Sequence, residues 1–337
     1  MAHTVKQMPN IEIKREIVRI LDNNERLFQD DSGKCSTARA EFKFKNDVVV
    51  PKFFRAWPIP VALRPKVEAK LEEMVLKGII RRVEHSKWAT PLVVVPKPDG
   101  KMRIHGDYKV TVNPQLDINQ YPLSKLDDLF HMLHGGKKFP KVDYSDAYMQ
   151  VELEESSRMY TTFNTHKGLF EYTRIPFGIA SPPAIFQRIT EHTLAGIEGV
   201  LIYLDDITVT GSNDKTHLER LVKVLNRLNE VGFRLKRGKC DFFEEEMEFL
   251  GLVVDEKGIG PSSSKLKAIL NMPEPMNIKK LESYLGMIQY YGKFIPRLAT
   301  LAAPLNSLRR KGAPWRLGAE EREALTKSVK SLQQQTH

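Results

Sequence analysis

Between residues 201 and 209 the chain reads Leu201-Ile202-Tyr203-Leu204-Asp205-Asp206-Ile207-Thr208-Val209, two adjacent acids between two apolar runs. Each run has the composition of a strand, so the stretch predicts a hairpin with Asp205 and Asp206 at its tip. That tip breaks ordinary turn chemistry. Two-residue hairpin turns need positive φ and favour Asn-Gly, Asp-Gly or Gly-X. Asp-Asp supplies none of these, and it also sets two like charges close together. A bound divalent cation would remove the repulsion, whereas a solvated acidic turn would tolerate it. The stretch alone does not choose, so the rest of the chain must.

The chain has 337 residues, enough for two or three structural units around substantial cores. Lys and Arg number 52 against 42 Asp and Glu, a formal net charge of +10 that favours a polyanionic partner. No apolar run approaches the ~20 residues of a membrane span, and the polar start from Met1 to Asn10 is no signal peptide. Cys35 and Cys240 belong to no CxxC or Cys/His cluster, which argues against structural zinc and a disulfide framework. A reduced intracellular compartment, cytoplasmic or nuclear, is the expectation.

Patterning predicts a helix over Ile11 to Phe28 and a strand over Glu41 to Lys45. A second helix carries Val67, Leu71, Met74 and Val75 on one face and closes at Gly78. Pro91 to Pro96 and Met102 to Tyr108 read as strands joined by the basic turn Lys97-Pro98-Asp99-Gly100-Lys101. Val142-Asp143 ends a short strand, and Asp146 suits a helix N-cap. A helix runs from about Ser181 to Leu194, and another, capped by Asn213 or Asp214, ends at Gly232. After Gly258 the chain turns to helices separated by prolines, and a polar tail from Gly312 is expected to fray.

A carboxylate ending an apolar strand is rarely there for stability, which singles out Asp143. An antiparallel sheet with helices on one face brings the Asp143 strand beside the acidic hairpin, so that three carboxylates meet at one sheet edge. Hard oxygen ligands without His or Cys suit Mg²⁺ or Mn²⁺. Two such ions serve in-line phosphoryl transfer, and with a basic chain this points to nucleotide transfer onto a nucleic-acid 3′ end.

Several ordered motifs then make a resemblance specific. They are Trp88-Ala89-Thr90-Pro91, Arg103-Ile104-His105-Gly106-Asp107-Tyr108-Lys109, Val142-Asp143-Tyr144-Ser145-Asp146-Ala147-Tyr148 and Ile175-Pro176-Phe177-Gly178-Ile179-Ala180. Tyr203-Leu204-Asp205-Asp206, Phe249-Leu250-Gly251 and Leu285-Gly286-Met287-Ile288-Gln289-Tyr290-Tyr291 complete the set. From about Glu41 to Leu325 the chain resembles the reverse transcriptase of gypsy-type LTR retrotransposons. Departures fall at His105, Pro140 and Pro182, and none deletes a catalytic group.

The resemblance implies an α+β right-hand polymerase with fingers, palm and a helical thumb. It divides the chain into an N-terminal extension (1–50), fingers (51–118 and 151–181), palm (119–150 and 182–257), thumb (258–311) and the start of a connection (312–337). It implies that Asp143, Asp205 and Asp206 hold two Mg²⁺ ions, with Mn²⁺ as a substitute. Lys97 and Arg103, with Lys101 beside them on the basic turn, resemble cations on the incoming triphosphate, which the backbone around Asp146 and Ala147 would also face. Tyr148 resembles a steric gate against a ribose 2′-OH, and Phe177 and Gly178 line the nucleotide pocket. Lys239 resembles a lysine near the leaving pyrophosphate, and Phe249, Leu250 and Gly251 a primer grip. The implied partners are an RNA or DNA template with primer, dNTPs, and a second copy or a parent polyprotein carrying ribonuclease H; no membrane is implied. RNA- and DNA-directed DNA synthesis is the leading expectation. A catalytically silent nucleic-acid-binding protein is the alternative.

Overall fold

The computed structural model describes residues 11–96, 102–117, 126–133, 135–180 and 182–333. The chain forms two compact units, Met1–Glu244 and Glu245–His337. In chain order the first contains α1 (Ile11–Asn23), β1 (Arg39–Ala40), α2 (Arg64–Leu76), β2 (Ile80–Val83), β3 (Thr90–Pro96), β4 (Met102–Gly106) and α3 (Leu126–Leu133). It continues with β5 (Lys141–Asp143), β6 (Glu152–Leu153), α4 (Glu155–Arg158), β7 (Phe163–Thr165), β8 (Gly168–Tyr172), α5 (Pro182–Leu194), β9 (Val200–Tyr203), β10 (Asp206–Val209) and α6 (Asp214–Val231).

Two sheets organise this unit. A five-stranded sheet runs in the order β2-β8-β7-β3-β4 around buried Trp88, Phe163, Phe170 and Tyr172. The three-stranded sheet β5-β10-β9 is antiparallel throughout, with β10 in the middle. Val142, Leu201, Ile207 and Val209 are fully buried in it. α5 packs against β9 and α6, and α6 also packs against β10. The side chain of Asn213 caps α6 by accepting the Thr216 N–H at 2.9 Å, and Gly232 ends that helix with φ +89°, as its sequence pattern requires.

The strand expected over Glu41–Lys45 does not form. Only Phe44 makes an isolated bridge, to Leu116, because this segment has no continuous partner edge. The N-terminal helix stops at Asn23 and tightens into a 3₁₀ turn, Glu25–Phe28. Beyond it the chain is laced across the unit. Leu235 N–H donates to Leu27 O, Lys34 N–H to Gly232 O and Cys35 N–H to Gln150 O, while Arg234 Nη2 donates to Asp31 Oδ2 at 2.9 Å.

The second unit holds a meander, β11 (Glu246–Phe249), β12 (Leu252–Asp255) and β13 (Gly258–Pro261), followed by α7 (Ser263–Leu270), α8 (Ile278–Tyr290), α9 (Leu298–Leu301), α10 (Ala303–Ser307) and α11 (Ala319–Gln333). Leu281, Tyr284, Leu285 and Ile288 form the buried face of α8. The polar tail is ordered rather than frayed through α11: Leu325 and Leu332 are buried, and Tyr284 Oη donates to Leu325 O at 3.2 Å. The polar composition hid a single apolar stripe.

Phe186 of α5 is fully buried, and its ring meets Tyr144, Tyr148 and Phe233 with centroids 5.0, 5.5 and 6.0 Å away. Phe186→Ala is expected to destabilise the chain by about 3–5 kcal/mol, read from urea denaturation.

Candidate active site at the β9–β10 hairpin

The hairpin differs from its sequence reading in one respect. Tyr203 pairs with Asp206, so the two-residue turn is Leu204-Asp205, and only Asp205 sits at the tip. Asp206 is the first residue of β10 and is paired on its other side with Asp143 of β5. The positive φ that the turn demands falls on Leu204, at +55°, and on neither acid. A left-handed, non-glycine residue at the first turn position is strained.

One side chain holds it there. The carbonyl of Gln187, a residue 1% exposed on α5, accepts the Leu204 N–H at 2.5 Å. The Gln187 amide donates to Ile202 O at 2.9 Å and to Glu191 Oε1 at 2.7 Å. Sequence reasoning missed Gln187. The available signal was a polar residue between the apolar positions Phe186 and Ile189 of a core-facing helix.

Each of the three acids is engaged by a different protein donor. Lys239 Nζ lies 3.2 and 3.3 Å from the two oxygens of Asp143. Lys141 Nζ lies 3.0 Å from Asp206 Oδ1. Tyr148 Oη donates to Asp205 Oδ1 at 3.2 Å. Burial raises the Asp143 carboxyl above the ordinary aspartate range, with the Asp206 charge adding and the Lys239 ammonium opposing. Burial and the neighbouring Asp205 carboxylate likewise push the Tyr148 hydroxyl well above its ordinary value. Behind Asp143, the buried Cys240 Sγ accepts the Asp143 N–H at 3.4 Å, and burial pushes that thiol up to about 12. It is a packing group.

The three acids therefore share one end of one sheet, but their carboxylates do not converge. Among the described residues no group of three His, Cys, Asp or Glu is arranged as a metal site. The backbone brings the three acids to one sheet end, and each carboxylate is bonded to its own donor. The donor set itself is all oxygen, which fits a hard divalent cation.

Around this edge the other expected residues fall as follows. The Tyr148 ring stands edge-on to Phe177 at 5.8 Å, and the Arg103 guanidinium lies 4.6 Å over the Phe177 ring. Arg103, Ser145, Asp146 and Phe177 line one cavity of about 100 Å³ together with Lys70 of α2 and Lys77 just past its end. Asp146 has φ +49° and makes no side-chain cap, so its helix-capping reading fails; Ala147 beside it is buried. Gly178 has φ +91°, and an added Cβ would stand 3.1 Å from Gly106 O, so glycine is required there. Asn113, another residue sequence reasoning missed, fixes this loop: its amide donates to Gly178 O at 2.8 Å and its carbonyl accepts the Ala180 N–H at 3.0 Å. Lys97 and Lys101 lie outside the described residues.

In the second unit, Phe249, Leu250 and Gly251 form the end of the β11–β12 hairpin. Leu250 and Gly251 both have positive φ, +51° and +80°, the primed turn that suits a twisted hairpin. Tyr290 Oη donates to Leu250 O at 2.7 Å and Tyr291 Oη to Gly251 O at 3.3 Å, so α8 holds that turn.

Residues 95–254 match the family described as reverse transcriptase (RNA-dependent DNA polymerase). The chain is 35% identical over 299 residues to an uncharacterized protein of Caenorhabditis elegans, covering 88% of this chain and 23% of that protein. It is 34% identical over 268 residues to the retrovirus-related Pol polyprotein from transposon 297 of Drosophila melanogaster (77% of this chain, 25% of the relative). To the Tf2-3 transposon polyprotein of Schizosaccharomyces pombe it is 30% identical over 273 residues (80% and 20%). The chain thus spans a quarter or less of these relatives. Among solved structures, the foamy viral protease–reverse transcriptase in complex with double-stranded DNA superposes with a TM-score of 0.85 at 25% identity, over 98% of this chain and 59% of that one. The same viral protein with an RNA/DNA hybrid gives 0.79 at 25% identity, over 98% and 45%.

Gln187→Leu leaves the Leu204 N–H and Ile202 O without their partner and is expected to cost about 1–3 kcal/mol by urea denaturation. Gln187→Glu keeps an acceptor for Leu204 but sets a buried carboxylate against Glu191 and Ile202 O, and is expected to lose more than the leucine variant.

Proposed function

We propose that this chain, which belongs to the reverse transcriptase family and has its right-hand polymerase fold, is an RNA- and DNA-directed DNA polymerase of the gypsy-type LTR retrotransposon lineage. It adds dNTPs to a primer 3′ end annealed to an RNA or DNA template. The observation that carries the reading is the pairing of Asp143 with Asp206 on adjacent strands and Asp205 in the turn beside them, with the Tyr148 hydroxyl against Asp205. The foamy viral protein is seen in complex with double-stranded DNA and with an RNA/DNA hybrid, and the +10 charge of this chain supports the same class of partner.

Reverse transcriptases use divalent metal ions. In this chain Asp143 and Asp205, with Asp206 beside them, would hold Mg²⁺, which supplies activation of the primer 3′-hydroxyl and charge stabilisation at the leaving pyrophosphate. The chain's own groups do the rest. The Tyr148 ring, fixed by Phe177 and Phe186, occupies the space a ribose 2′-OH would need. Phe177 and Gly178 form the wall on which the nucleotide rests, anchored by Asn113. Arg103, held over Phe177, offers its guanidinium to the triphosphate, and the backbone at Asp146 and Ala147 faces the same phosphates. Lys239 is positioned to neutralise charge on the departing pyrophosphate. In this reading residues 51–118 and 151–181 are fingers, 119–150 and 182–257 palm and 258–311 thumb, with Phe249, Leu250 and Gly251 as primer grip.

Primer extension tests the assignment. Asp205→Asn is expected to abolish dNTP incorporation on a primed RNA template while keeping the wild-type thermal transition; incorporation at the wild-type rate overturns it. Tyr148→Ala is expected to admit ribonucleotides, measured as a fall in the ratio of kcat/KM for dNTP over NTP.

A further inference from the structure

The three acids are not partnered alike. Lys239 ends a short 3₁₀ turn, Arg237–Lys239, and its side chain is 56% exposed, against 43% for that of Lys141. Tyr148 gives Asp205 a neutral donor. Lys141 differs from both. It is the first residue of β5, its Cα is paired with Thr208 of the central strand, and its backbone is bonded twice to Asp241 on the other side (Lys141 N–H to Asp241 O at 2.7 Å, Asp241 N–H to Lys141 O at 2.8 Å). Its ammonium thus starts from a strand pinned on two edges and reaches Asp206 diagonally across the sheet at 3.0 Å. The Asp143 and Asp241 carboxylates also act on it.

We propose that Lys141 is a built-in counter-cation for Asp206, so that the Lys141–Asp206 pair behaves as a neutral unit and divalent cations are carried by Asp143 and Asp205. This rests on the polymerase reading above. Lys141 is a positioning residue: it acts through Asp206, not on the substrate. The chemistry follows from charge. Three carboxylates at one sheet end carry −3, and once Lys239 has been displaced the Lys141 ammonium at 3.0 Å from Asp206 leaves −2 for the incoming cations. Lys239 and Tyr148 can then be displaced from Asp143 and Asp205 by metal, while Asp206 keeps its partner. A consequence is that the site binds metal more weakly than its three acids alone would, with two of them as working ligands.

Mg²⁺-dependent thermal stabilisation of the full chain, with Mn²⁺ binding read by electron paramagnetic resonance, tests this without relying on turnover. Lys141→Met is expected to lower the metal-free melting temperature and to move the Mg²⁺ midpoint about tenfold toward lower concentration, because Asp206 becomes an available ligand. Lys141→Arg is expected to stay near wild type. The double variant Lys141→Met/Asp206→Asn removes the pair as a neutral unit and is expected to keep the wild-type midpoint within about twofold. An unchanged midpoint in Lys141→Met overturns the proposal, as does loss of Mn²⁺ binding in the double variant. Absence of any Mg²⁺ or Mn²⁺ response in the wild-type chain overturns the metal reading itself, and the proposal with it.

Discussion

Cross-strand pairing of Asp206 with Asp143 is the constraint on which the site depends. Residues opposite each other in an antiparallel ladder have their Cβ atoms about 5 Å apart. Two carboxylates on neighbouring positions repel, and the Asp206 charge adds to the upward shift of the Asp143 carboxyl. The pairing register cannot slip to relieve this, because a one-residue shift would also turn Val142, Ile207 and Val209 out of the core. Apolar burial therefore fixes two like charges side by side. Lys239, Lys141 and Tyr148 are the local answer to that repulsion, and the strained Leu204 turn adds the third acid.

The two hairpin ends solve one geometric problem in the same way. Each turn places a leucine in the left-handed region, Leu204 at +55° and Leu250 at +51°, where glycine or asparagine would be the relaxed choice. In each, side chains from a helix of the same unit bond the turn's backbone: Gln187 of α5 at Leu204, Tyr290 of α8 at Leu250. A glycine would adopt these angles freely and also leave them freely. A leucine held by a buried amide or a tyrosine hydroxyl keeps a single backbone path, which suits a turn whose neighbours must be positioned to a fraction of an ångström.

Local chemistry made much of this legible in the sequence. The apolar runs flanking Asp205-Asp206, the strand ending at Asp143, the Asn213 cap and Gly232 stop, and the buried stripe of α8 are all short-range patterns, and the structure has each of them. What sequence reading missed is long-range. Gln187 reaches Leu204 across 17 residues and Asn113 reaches Gly178 across 65, and no periodicity announces such partners. The Glu41–Lys45 alternation looked like a strand because alternation reports a half-buried surface, while a strand also needs a neighbouring edge. Turn geometry was half legible: the demand for a positive φ was visible, but which of Leu204, Asp205 and Asp206 would meet it depended on the pairing register.

The lacing of the N-terminal segment has a consequence for how the chain is made. Arg234 and Asp31 are 203 residues apart in sequence, and Leu27, Lys34 and Ser36 bond to backbone between Val231 and Leu235. During synthesis the segment from Leu27 to Ser36 emerges before most of its partners, which leave the ribosome some two hundred residues later. Until then these amides and carbonyls remain in water, and the unit cannot close. Contacts of such sequence separation slow folding, since the loop must be closed before any bond rewards it. The first unit is thus a body in which a segment made early is among the last to be seated.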